Sequence, residues 1–330
     1  MKTTDEKPPV HWSRHKEEAA GYWHLKFLLF LFRIFPVSFL RFLAPPVGLF
    51  YFLFSRRSRT ESRRFLQKAA PCIGNPEIAK KCVSPFGSLR HLVSFSLTLV
   101  EKLQSWSDKF PFEDIHFQND DVEELKQELE QGKGAFLICS HLGNYELLRA
   151  LANFDRYGIS RKVPVTSIVD FDVTANFNRI LRELNPESAL DIINAKEISS
   201  HTAILLQERL AAGWLAVIAG DRTRAGAAEK NLMIPFLGEE APFSPGTFYL
   251  ATLMEAPVFF IFALRRRDLF CKPEYDIHVH KSELSPGCSR KERAVLSIKL
   301  ARSFAALLED YCKKYPFQWY NFYDFWSKGV

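Results

Sequence analysis

The chain has 330 residues, 47% of them hydrophobic and 25% charged, a globular composition that excludes intrinsic disorder. Its net charge of +6 is modest, and no nucleic-acid-binding motif accompanies it. Six cysteines without a CxxC pair fit reduced thiols better than a disulfide framework or a metal centre.

Residues 1–20 read as a polar tail without the apolar core of a cleavable signal peptide. Residues 22–54 are rich in Phe and Leu, but Lys26, Arg33 and Arg41 interrupt the apolar runs. Pro36, Pro45 and Pro46 are expected to break any long helix. No stretch reaches the roughly 20 apolar residues of a spanning helix. Short apolar helices followed by Arg56, Arg57, Arg59, Arg63 and Arg64 suit a segment lying in the interface of an anionic membrane. The same helices could instead cap the core.

From about 58 to 130 the pattern is helical, clearest over Phe86 to Gln104. Residues 21–130 therefore read as one helical, membrane-facing region. From 131 onward the texture alternates. Strands are expected at 135–140, 163–169, 189–193, 214–219, 257–264 and 275–280. Helices are expected at 143–155, 173–184, 198–212, 245–254 and 290–314. This alternation predicts an α/β core over 131–330, a mostly parallel sheet flanked by helices.

The most informative stretch is Ala135-Phe-Leu-Ile-Cys-Ser-His141-Leu-Gly-Asn-Tyr-Glu146. An apolar strand ends at His141, at the sheet edge where α/β folds open crevices. A neutral imidazole there can serve as general base if a neighbour fixes its tautomer. Glu146 in the following helix could reach back to the ring. Alternatively, His141 caps the turn and Glu146 complements a helix dipole. Asp221, Arg222 and Arg224 follow the strand 214–219 and lie at the same edge if both strands are parallel. Arginines there suit phosphate or carboxylate recognition, and Asp221 could orient one of them. Arg179 and Arg182 share one side of a helix, and both could equally be solvated. Ile234 to Phe248 is punctuated by Pro and Gly; its apolar residues suit a lid over an acyl chain, and Ser244-Pro245 reads as a helix start. No serine-hydrolase elbow, Walker A loop or dinucleotide fingerprint is present.

His141-Leu-Gly-Asn-Tyr-Glu146 resembles the H-x-G-N-[WY]-E form of the H-x-x-x-x-[DE] motif of the lysophospholipid acyltransferase superfamily. The form is that of the bacterial late acyltransferases of lipid A biosynthesis. The order of pieces also matches over roughly residues 20 to 326: Arg179 and Arg182, then Asp221, then Pro-Phe-Leu-Gly and Pro-Gly-Thr-Phe. The ending Gln318 to Trp326 resembles a related branch associated with lipids of dedicated fatty-acid-like or polyene pathways. The resemblance implies a glycerolipid acyltransferase-like fold and transfer of a fatty acyl group from an acyl carrier protein or coenzyme A thioester. The acceptor would be a hydroxyl or amine on a lipid. It implies His141 and Glu146 as the catalytic dyad, with Arg179, Arg182, Asp221, Arg222 and Arg224 in substrate binding. No metal or bound cofactor is implied. The site would lie at the cytoplasmic face of the bacterial inner membrane, with no nucleic-acid partner. A non-catalytic lipid-binding protein and a thioesterase or lipid hydrolase are the competing readings.

Overall fold

A computed structural model describes residues 22–107, 109–118, 121–148, 161, 163–170, 191–223, 231–267, 269–284 and 287–327. The expected tail 1–20, the helix 173–184 and the residues Arg179, Arg182 and Arg224 lie outside these.

The first part is helical: α1 (Tyr22–Ile34), α2 (Val37–Phe54), α3 (Arg56–Ala69), α4 (Pro76–Val83) and α5 (Gly87–Trp106). Pro36 separates α1 from α2, but Pro45 and Pro46 sit inside α2 and do not end it. The proline penalty is overcome by packing, because α2 lies closely along α5. A Cβ at Gly48 would fall 2.7 Å from the Val93 Cα, so glycine allows the two backbones to meet. Leu40 and Ala44 of α2 join Val93, Leu97, Val100 and Trp106 of α5 in one apolar cluster. At 18 residues, α2 is long and apolar enough to cross a membrane, and only 17% of it is buried. The expectation that no such stretch exists is corrected accordingly.

The remainder is α/β. Strand β1 (Ile115–Phe117) precedes α6 (Asp121–Glu130) and β2 (Ala135–Gly143). Next come β3 (Val165–Val169), β4 (Asp191–Asn194), α7 (Ser200–Ala211) and β5 (Leu215–Ala219). A hairpin of β6 (Leu232–Phe236) and β7 (Glu239–Phe243) leads to α8 (Pro245–Leu253), β8 (Val258–Arg265), β9 (Tyr275–Lys281) and α9 (Arg293–Lys314). Seven strands form one sheet in the order β1-β9-β8-β2-β5-β3-β4. Every neighbouring pair is parallel except β8 with β9. The fold is thus the predicted α/β architecture. Strand β1, at three residues, was too short to read, and it lies inside the segment expected to be helical.

Apolar side chains fill both faces of the sheet. Phe136 and Ile138 point toward a cluster with Phe65, Phe248 and Phe304, while Leu137 and Cys139 face Val122, Leu125 and Leu129 of α6. The segment expected to be a lid is a packed hairpin. Ile234, Phe236, Ala241 and Phe243 are buried, and Leu237 and Gly238 both take positive φ, as a two-residue type I′ turn requires. Pro245 does begin α8, although the Ser244 side chain makes no capping bond. All six cysteines are free.

One buried charge cluster joins the helical part to the sheet. Glu101 of α5 is fully buried. It accepts from both ends of the Arg265 guanidinium, from Arg41 of α2 and from the Tyr275 hydroxyl. Removing one member of such a pair leaves an uncompensated buried charge. Glu101→Ala is expected to lower unfolding stability by about 3–5 kcal/mol, measured by urea denaturation. A loss under about 1 kcal/mol, the scale of a surface pair, would show that water reaches the cluster.

Candidate active site

The site grows from the ends of two adjacent parallel strands. Cys139 of β2 lies opposite Ala219 of β5, so the residues two places further on, His141 and Asp221, meet at the sheet edge. The register of β2 against β8 shifts between Cys139 and Gly143. At Gly143 φ is +77°, and a Cβ there would sit 1.9 Å from the Ala263 carbonyl oxygen. Only glycine fits this turn, which is followed by a short 3₁₀ turn over 145–148.

The bulge sends the two motif side chains different ways. His141 Nδ1 lies 2.8 Å from Asp221 Oδ1, while Glu146 Oε2 accepts a 3.0 Å bond from the Trp106 indole N–H. The hydrogen-bond partner of the ring in this structure is therefore Asp221, where the motif spacing had suggested Glu146. A regular helix start would have let Glu146 turn back, but the positive-φ step at Gly143 aims it at α5.

Asp221 is fully buried. Its Oδ2 accepts from the His141 backbone N–H at 2.8 Å and from the Trp319 indole N–H at 3.0 Å. Burial alone would raise its pKa, but His141, Arg222 and these donors hold it down at about 2. An ionised carboxylate carries no proton, so the His141 Nδ1 must supply the hydrogen. That fixes the tautomer and leaves the Nε2 lone pair unprotonated. The Arg222 Nε, 3.2 Å from Nδ1, is then a charge contact, since Nδ1 has no lone pair left to accept with. Burial lowers the His141 pKa; Arg222 lowers it further, while Asp221 opposes both. The imidazole is therefore neutral at pH 7, as a proton acceptor must be.

Trp319, Trp106 and Lys102 reach this site through tertiary packing, and nothing in the sequence placed them at it. Trp319 belongs to the C-terminal segment, which bridges to Leu142 in antiparallel fashion. The Tyr320 N–H donates to the His141 carbonyl at 3.2 Å. Trp106 and Lys102 lie four apart on α5, hence on one face. The Lys102 ammonium stands 4.6 Å from the centre of the Tyr145 ring, which packs edge-on against His141 at 5.4 Å. Burial and Arg222 lower the Lys102 pKa, and Glu146 raises it. Arg222 itself lies over Tyr323 at 4.9 Å. Among the described residues no group of three or more His, Cys, Asp or Glu could hold a metal ion.

The profile of the bacterial lipid A biosynthesis acyltransferases matches residues 8–328. The chain belongs to that family. It is an acyltransferase, with an acyl donor and a lipid acceptor as substrates. No curated protein matches it.

The acyltransferase's two charged neighbours of His141 act on the ring in opposite directions. Removing Arg222 takes away a cation, so Arg222→Gln should raise the His141 pKa. Asp221→Asn removes the stabilising anion and should lower it. Histidine ring titration by NMR in each variant checks both signs, and an unmoved titration in both would exclude the coupling.

Proposed function

We propose that the enzyme moves a fatty acyl group from an acyl carrier protein or coenzyme A thioester to a hydroxyl or amine of a lipid acceptor. His141 is the general base. The observation that carries this reading is the Asp221–His141 contact, which fixes the proton on Nδ1 and turns Nε2 into the acceptor.

In the reaction, Nε2 takes the proton of the acceptor group as its oxygen or nitrogen attacks the thioester carbonyl. The resulting imidazolium is stabilised by Asp221, following the logic of a triad. The tetrahedral intermediate collapses with cleavage of the C–S bond, and the departing thiolate regains a proton from the imidazolium. Arg222 and Lys102 flank the ring, so negative charge on the carbonyl oxygen or on an acceptor phosphate would meet two cations. Glu146 braces Trp106 and balances Lys102. Arg179, Arg182 and Arg224 are assigned to the anionic groups of donor and acceptor by resemblance alone.

The enzyme works as a peripheral or monotopic protein at the cytoplasmic face of the bacterial inner membrane. Supporting this, α1 and α2 expose Phe27, Phe30, Phe39, Phe42, Phe50 and Phe54, and clustered exposed apolar side chains of this kind mark interaction surfaces such as membranes. The arginine cluster divides its labour. Arg59 hydrogen-bonds the Phe52 and Leu53 carbonyls at the end of α2, and Arg64 pairs with Asp324 at 2.6 Å. Arg56, Arg57 and Arg63 are exposed and would face anionic headgroups, each contributing on the order of 1 kcal/mol.

His141→Ala should fold and lose roughly 100-fold or more of its transfer rate, the scale of a general base. Asp221→Asn should lose more of kcat than Glu146→Gln, which reverses the order expected of a His–Glu dyad. Incubation with labelled acyl carrier protein or coenzyme A thioesters and total lipid extract, followed by mass spectrometry, supplies the readout. Near-wild-type turnover in folded His141→Ala would sink the mechanism.

Lys102→Met should depress activity while Lys102→Arg restores part of it. Steady-state kinetics separate two roles: a fall in kcat marks contact with transition-state charge, and a rise in one KM marks ground-state binding. Wild-type constants in Lys102→Met would confine Lys102 to the wall of the site.

A further inference from the structure

The loop joining β8 to β9 lies against the apolar helices, although more than 200 positions separate them in sequence. Leu269 is buried in the same cluster as Leu29, Phe32, Leu40 and Trp106. Arg41 of α2 donates through Nη2 to the carbonyls of Leu269 at 3.3 Å and Cys271 at 2.7 Å. These two carbonyls flank Phe270, whose side chain is 76% exposed. Phe42, next to Arg41 in α2, is 74% exposed. One guanidinium thus fastens two outward-facing phenylalanines, from distant parts of the chain, to a single block.

We propose that the β8–β9 loop is a second membrane-inserting element, with Phe270 entering the acyl-chain region of an anionic bilayer alongside α2. This rests on the membrane association proposed above. The Arg41 link between the loop and α2, whose apolar side chains are exposed, favours a bilayer over a protein partner. So does the charge around the loop: Arg266, Arg267 and Lys272 pair with Asp276, Glu274 and Asp114. The basic flank is therefore largely neutralised while long Lys and Arg stems remain at headgroup level. Two separated anchors fix orientation as well as affinity, because a single helix leaves the protein free to roll about its axis.

The test uses the full chain with Cys72, Cys271 and Cys288 replaced by Ser, since the other three thiols are buried. A polarity-sensitive dye is attached at Phe270→Cys in one preparation and at Phe42→Cys in another. Each is mixed with phosphatidylethanolamine–phosphatidylglycerol vesicles, with or without brominated acyl chains. Both dyes should shift to the blue and be quenched by bromine. In parallel, Phe270→Asp should reduce vesicle partitioning roughly ten- to a hundredfold, the scale of withdrawing one buried Phe, without a change in unfolding midpoint. Quenching at position 42 with position 270 left in water overturns the proposal and leaves the membrane reading intact. Absence of quenching at both positions overturns both. A blue shift at 270 that depends on protein concentration without vesicles assigns the loop to a second copy of the chain and overturns the proposal.

Discussion

The site depends on keeping one carboxylate ionised in the interior. An Asp without partners at such a depth would take up a proton, because burial disfavours its charged form. Asp221 keeps its charge through donors from separate parts of the chain: the His141 backbone, the His141 ring and the Trp319 indole. Satisfying them is possible only if β2 and β5 are parallel neighbours in register and the C-terminal segment lies across the end of β2. The same constraint sets the chemistry. The charge that organises three chain segments is the one that fixes the imidazole tautomer.

Much of this was legible in the sequence, and the losses have physical causes. Strands β2, β3, β5 and β8 are largely apolar runs and β9 alternates apolar with polar residues, so their positions could be read within a few residues. His141 and Asp221 could be placed at one edge because both follow such runs. Their contact could not be read, since the H-x-x-x-x-E spacing suggested a local partner and the register shift that forbids it depends on pairing with β8. Lys102, Trp106 and Trp319 are brought in by tertiary packing and leave no local pattern. The β6–β7 hairpin was missed because its turn is Leu237-Gly238 rather than an Asn-Gly or Asp-Gly pair. Pro45 and Pro46 misled in the other direction, because helix propensity is a weak guide where the packing of Gly48 on Val93 overrides it.

The C-terminal aromatics show how a distant segment becomes part of a site. Trp319 is fully buried, with Phe65 of α3 at 4.8 Å and Phe325 at 4.9 Å between ring centres. Its carbonyl lies 3.0 Å from His91 Nε2, whose other nitrogen meets Ser62. Burial pushes the His91 pKa down to about 3, so this second histidine remains neutral and acts as a structural strut. A bulky aromatic held by edge-on ring contacts and hydrogen bonds loses little further entropy when it positions the Asp221 carboxylate. That rigidity suits a group whose role is to hold a proton in place.

Helix α5 ties the apolar-surfaced helices α1 and α2 to the candidate site. Successive helical residues are rotated by about 100°, so Glu101 and Lys102 cannot face the same way. Glu101 must turn toward Arg265, Tyr275 and Arg41, because a buried carboxylate without those donors would be prohibitively costly. That requirement fixes the rotation of α5 about its axis. Lys102 and Trp106 are then carried about a quarter turn away, against Tyr145 and Glu146. Since Arg41 belongs to α2 and also grips the β8–β9 loop, the cluster that seats the apolar surface is the one that aims the ammonium at the turn holding His141. Loosening Arg41 would disturb both ends at once, and the neighbouring residues Glu101 and Lys102 are the point at which the two are joined.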